Sequence, residues 1–112
     1  MEKDKLYIEH ILDAIKNIEE YIKDFNKQKF LEKKNHMTQN AVIRELEVIG
    51  EAVKNLSSKL KQENDFLPWR DIEGMRNKLI HEYFAVNLNT VWQATQKDIP
   101  ILKEAMMRLK NS

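Results

Sequence analysis

Eight consecutive residues, Arg76-Asn77-Lys78-Leu79-Ile80-His81-Glu82-Tyr83, bring together a guanidinium, an amide, an imidazole and a phenol. Cleaving RNA without a metal asks for a similar set. A base must take the proton of the ribose 2′-hydroxyl, an acid must protonate the leaving 5′-oxygen, and a cation must meet the charge that builds on phosphate. The His81 imidazole titrates near neutrality, so it suits the base or the acid. The Arg76 guanidinium can hold two phosphate oxygens at once. Asn77 can orient the imidazole or donate to phosphate, and Tyr83 can stack on a base or position the phosphate. A 2′-hydroxyl nucleophile would restrict the reaction to RNA and leave a 2′,3′-cyclic phosphate. The same residue types also serve as salt-bridge and capping partners, and Asp71, Glu73 and Glu82 stand close by in the chain.

Such residues must be positioned by the elements that carry them. On a regular helix each residue turns about 100°, so Asn77 and His81 share a face and Arg76 and Tyr83 share a neighbouring one. Arg76 and His81 differ by roughly 140° and do not line up. A π-bulge, a helix end at His81, or a second chain that completes the site would each resolve this. Glu51 offers a carboxylate that either faces solvent or reaches Arg76 or His81.

The 112 residues fit one domain, with all of 1–112 assigned to it. Hydrophobic residues make up 42% and charged residues 33%, a globular balance and not a disordered one. Two Gly and two Pro leave little chain punctuation, which favours long helices. Without cysteine there is no disulfide or thiolate metal site, and His36 has no partner at ligand spacing. No cofactor or metal is expected. No apolar run is long enough to span a bilayer, and Asp4, Glu9 and Asp13 interrupt residues 1–15 as no secretory signal would. The expected location is the cytoplasm. Nineteen basic and eighteen acidic residues nearly cancel, so any RNA contact needs a local patch or a groove between two copies.

Taken in order, Ile8, Ile11, Ile15, Ile18, Ile22 and Phe25 line one face of a helix over 4–26. Residues 27–36 form a connector with Phe30 and Leu31 as anchors. Its Lys27, Lys29, Lys33 and Lys34 are read mainly as solvated surface and secondarily as a phosphate-attracting patch. Thr38 would cap a second helix running to about Lys61, striped by Val42, Leu46, Ile49, Val53, Leu56 and Leu60. Gly50 in its middle costs about 1 kcal/mol relative to Ala, which implies close packing there. Residues 62–67 read as a loop. Pro68 starts the helix that carries the key stretch, with Ile72, Met75, Leu79 and Tyr83 as its inner stripe. A break over 84–89 would end at a capping Asn89. The next helix starts at Val91-Trp92 and restarts or bends at Asp98-Ile99-Pro100, and Ile99, Leu102, Met106 and Leu109 complete the core.

The key stretch fits the R-x4-H-x-Y pattern of HepT-type proteins, a branch of the HEPN superfamily. Asn40-Ala41-Val42-Ile43-Arg44, Leu46 and Ile49-Gly50-Glu51-Ala52 are similar to the family's second helix. Pro68-Trp69, Gly74-Met75-Arg76-Asn77, Tyr83-Phe84, Val91-Trp92 and Asp98-Ile99-Pro100 follow in the family's order. The resemblance implies an all-α antiparallel bundle of four to five helices that forms a homodimer, with both motifs facing a shared cleft. It further implies a toxin endoribonuclease of a HEPN/MNT (type VII) toxin–antitoxin system. Arg76 and His81 would be the catalytic pair and Asn77 the polar residue beside them. Tyr83 would be the tyrosine adenylylated by an MNT-type nucleotidyltransferase antitoxin, which adds charge and bulk to the cleft. The competing expectation is a non-catalytic partner or substrate-binding subunit of a nucleotidyltransferase, which would need Tyr83 but neither Arg76 nor His81.

Overall fold

The three-four spacing of isoleucines over the first 22 residues builds the central element. Ile11, Ile15 and Ile18 fall on one stripe of a helix and are at most 1% exposed. A computed structural model describes residues 2–70, 72–74 and 87–111. Its elements are α1 (Glu2–Ile22), α2 (Lys27–Phe30), a 3-10 turn (Lys33–Asn35), α3 (His36–Lys54), α4 (Ser58–Glu63), α5 (Leu88–Gln93), a π-helical turn (Ala94–Asp98) and α6 (Ile99–Lys110). Among the described residues there is no strand, and the fold is all-α.

Helix α1 packs against α3 on one side and α6 on the other. Both pairings are antiparallel. Asp4 meets Ser57 while Asn17 and Tyr21 meet Glu45, so α3 runs back along α1. Glu19 meets Lys103, while Leu12 and Asp13 share a groove with Lys110, so α6 also runs back. The seam of α3 (Val42, Leu46, Ile49 and Val53) and the seam of α6 (Leu102 and Met106) close on the α1 isoleucines. Each such side chain contributes about 1.5–3 kcal/mol by leaving water. Gly50 is buried in α3, as its place in the packed seam implied.

The boundaries differ from the sequence expectations in five places, each for a local reason. Helix α1 ends at Ile22 and not near residue 26, because Asn26 turns extended and its side chain accepts from Lys29 N to start α2. The connector is therefore a helical turn followed by a 3-10 turn, and Phe30 in it is fully buried. Helix α3 begins at His36, directly continuing the 3-10 turn, so Thr38 lies inside it and does not cap it. The stripe running to Leu60 belongs to two helices. The chain breaks after Lys54, and Ser57, in extended backbone, caps α4 by accepting from Leu60 N. The apolar spacing survives the break because Leu56 and Leu60 still face the core. The last correction is the cap of α5. Asn87, not Asn89, accepts from Asn89 N and Thr90 N, and the helix starts at Leu88.

The Asp98-Ile99-Pro100 step bends the helix without ending it. Pro100 has no N–H for the Gln96 carbonyl and its ring would crowd that oxygen. The widened π turn over Ala94–Asp98 absorbs this, and α5 runs on into α6. Buried Thr95 turns its hydroxyl inward and donates to Trp92 O at 2.7 Å. Among the described residues no helix is long and apolar enough to cross a membrane.

Candidate active site

The chain enters the key stretch from a hydrogen-bonded corner. Asn64 closes α4, its side-chain amide donating to Leu60 O at 2.9 Å, and its own carbonyl accepts from the Trp69 indole N–H at 2.9 Å. Leu67 between them is buried. Pro68 supplies the first carbonyl of the new helix, which accepts from Ile72 N at 3.1 Å. Residues 69–70 and 72–74 are helical, and Ile72 drops into the core. Lys61 of α4 pairs with Glu73 at 2.7 Å, with both side chains partly shielded from water. That ion pair ties the helical turn before the key stretch to α4. It also occupies Glu73, one of the carboxylates considered as a partner for Arg76. A Cβ at Gly74 would meet nothing within 4 Å.

The chain leaves the stretch at Asn87, whose cap fixes the direction of α5. Helix α5 is anchored by Val91, which is buried, and by the Trp92 ring, whose centroid lies 5.2 Å from that of Phe30. Both flanks of the stretch are thus held by caps and buried side chains. Arg76, Asn77, His81 and Tyr83 lie outside the described residues, as do Met75 and Leu79 of the expected inner stripe. Glu51 stands on the exposed side of α3, and its carbonyl accepts from the Asn55 amide at 2.8 Å. The alternative in which its carboxylate reaches Arg76 or His81 falls on residues outside the described ones.

His10 stacks edge-on against Tyr7, with 5.9 Å between ring centroids, and His36 is exposed at the start of α3. Among the described residues no group of three or more His, Asp or Glu is arranged to hold a metal ion. The buried carboxylate Asp4 accepts from both Ser57 N (2.8 Å) and Ser57 Oγ (2.7 Å). Burial alone would raise its pKa. The two Ser57 hydrogen bonds and nearby positive charge, including Lys61, outweigh that and lower it. Reading the sequence did not single out this clamp, because residues 53 apart give no periodic signal. The only local hint is a Ser followed by a helical run.

A family model described as ribonuclease HepT-like matches residues 11–109. The chain belongs to this family. The family is one of ribonucleases, and the chain is an enzyme of that class. A Methanocaldococcus jannaschii protein whose name pairs gamma-glutamylcyclotransferase with a candidate RNase is 44% identical over 97% of this chain. The chain spans about half of that relative, 49% of its length. A candidate RNase of Caldanaerobacter subterraneus is 38% identical over 97% of this chain and 96% of its own length. A candidate ribonuclease HepT of Thermococcus cleftensis is 43% identical over 95% of this chain and 94% of its own. No solved structure matches the chain.

Proposed function

We propose that this HepT-like chain is a metal-independent endoribonuclease acting as the toxin of a toxin–antitoxin pair. The observation that carries the reading is the intact R-x4-H-x-Y set, Arg76, His81 and Tyr83, inside a chain that belongs to the ribonuclease HepT-like family. In the proposed reaction the ribose 2′-oxygen attacks the adjacent phosphorus and loses its proton to a base. The bond from phosphorus to the 5′-oxygen breaks, and that oxygen takes a proton from an acid. The products are a 2′,3′-cyclic phosphate and a free 5′-hydroxyl. His81 serves as base or acid, Arg76 holds the phosphate oxygens as charge builds, and Asn77 orients the imidazole or donates to phosphate. Two chains pair so that their stretches face one cleft, which removes the roughly 140° misalignment of Arg76 and His81 on a single straight helix. A nucleotidyltransferase antitoxin of the MNT type adenylylates Tyr83, and the added phosphate repels RNA from the cleft. The work is done in the cytoplasm.

The test is incubation of the purified protein with RNA in EDTA beside His81→Ala and Arg76→Ala. The wild type is expected to cut RNA to fragments ending in 2′,3′-cyclic phosphate. Each variant is expected to lose at least about 100-fold in rate, the usual scale for removing an acid, a base or a charge-stabilising donor. Intact RNA with the wild type, or equal cutting by all three, would overturn the proposal. If RNA stays intact while a nucleotidyltransferase still labels Tyr83, the partner-subunit reading takes its place.

A further inference from the structure

The chain carries a net charge of +1, yet this charge is unevenly placed. Residues 27–34 hold Lys27, Lys29, Lys33 and Lys34 against Glu32 alone, three net positive charges, so the remaining residues together carry −2. All four lysines are exposed. Lys34 has an ion pair, with Glu32 at 3.4 Å, but its side chain is 75% exposed and such a pair contributes little. Lys29 lies over the Phe25 ring at 4.7 Å and its ammonium reaches Asp24 O at 3.4 Å, interactions that place the charge without neutralising it.

The backbone bearing these lysines is held in one conformation. Buried Gln39 donates through Nε2 to both Phe30 O (2.7 Å) and Glu32 O (2.9 Å). The Asn35 amide donates to Lys29 O at 2.7 Å, and Asn26 accepts from Lys29 N at 2.8 Å. Phe30 is 0% exposed and packs on Trp92. Trp92 belongs to α5, whose cap Asn87 stands six residues after His81, and six residues of chain span at most about 21 Å. The connector that bears the lysines therefore packs, through Phe30, against α5, the helix that follows the key stretch in the chain.

From this we propose that Lys27, Lys29, Lys33 and Lys34 form a sequence-independent binding surface for the phosphate backbone of RNA, beyond the residues that cleave it. The inference rests on the ribonuclease reading for its choice of polyanion. Lysine ammonium groups supply charge without base contacts, so the surface sets affinity and its salt dependence and leaves cleavage specificity to the cleft.

The test uses a fluorescent 2′-O-methyl oligonucleotide, which keeps the phosphates and cannot be cut by 2′-hydroxyl attack. Binding is measured by anisotropy against salt for the wild type, for K27Q/K29Q/K33Q/K34Q, and for the corresponding four-fold arginine variant. Thermal melts confirm that all three fold. The glutamine variant is expected to bind at least about 10-fold more weakly at ~0.1 M salt. Its log–log salt slope is expected to be shallower by about two to three, at roughly 0.7 for each phosphate that the lysines neutralise on a single strand. The arginine variant is expected to retain both. Unchanged affinity and slope in the glutamine variant would overturn the surface even if the wild type cleaves RNA. Cleavage loss in His81→Ala with this binding intact would leave both readings standing. A wild type that binds the oligonucleotide through these lysines but never cuts RNA would sink only the nuclease reading. If poly-L-glutamate of matched charge binds the wild type as tightly as the oligonucleotide does, the assignment to RNA falls and an acidic protein face replaces it.

Discussion

At the residue scale, the clamp between Asp4 and Ser57 is a long-range polar link made of two short hydrogen bonds. One carboxylate accepts the backbone N–H and the hydroxyl of the same serine, and that serine caps α4. Removing the acceptor leaves the two partly buried Ser57 donors without this partner. Asp4→Ala is expected to destabilise the fold by about 1–3 kcal/mol in chemical denaturation. The pH dependence follows from the lowered pKa. The group is charged in the folded state at pH values where the unfolded chain has begun to bind protons. Its contribution is therefore fully present above the unfolded carboxylate value, near about 3.9, and is lost as pH falls through the lower folded value. Wild type should lose stability on acidification below about pH 4 more steeply than Asp4→Ala. Parallel acid titrations of the two proteins would contradict this.

At the element scale, the connector between α1 and α3 shows how far local patterning carries. Phe30 and Leu31 stood out as anchors among lysines, and Phe30 is fully buried while Leu31 is partly buried against the core. The helical turn around them did not stand out. It depends on Gln39, nine residues beyond Phe30, bonding two connector carbonyls. Phe30→Ala is expected to cost about 3–5 kcal/mol, measured by thermal or denaturant unfolding. Without the ring, Trp92 has no aromatic neighbour at that position, so its near-ultraviolet circular dichroism should change. A cost below about 1 kcal/mol would show that the connector does not anchor α5. The single long helix expected from Thr38 to Lys61 failed for a related reason. A heptad-like stripe reports which residues face inward and is silent on whether the backbone between them is continuous. Ser57, taking an extended conformation to meet Asp4, broke the helix without disturbing the stripe.

At the scale of the whole molecule, the antiparallel placement of α3 and α6 against α1 builds the frame that enters the key stretch at the Trp69 corner and leaves it at Asn87. If two chains share one cleft, as proposed, mixing Arg76→Ala and His81→Ala chains should restore part of the activity. Random pairing makes half of the dimers mixed, each with one intact site of two, so about a quarter of wild-type activity is expected. No recovery, with mixed dimers demonstrated, would mean that each chain holds a complete site. The amino-acid order alone carried the all-α class, the isoleucine face of α1, the seams of α3 and α6, and the family resemblance through Arg76, His81 and Tyr83. Those properties depend on residue type and on spacing within one element, which helical geometry converts directly into faces. The folded arrangement was needed for the Asp4–Ser57 clamp, the Gln39 brace under the lysines, the split between α3 and α4, and the choice of Asn87 over Asn89 as cap. Each of these turns on hydrogen bonds whose geometry is set by how the backbone is placed in three dimensions. Residue type and spacing offer several donors and acceptors for every such bond, and packing selects among them.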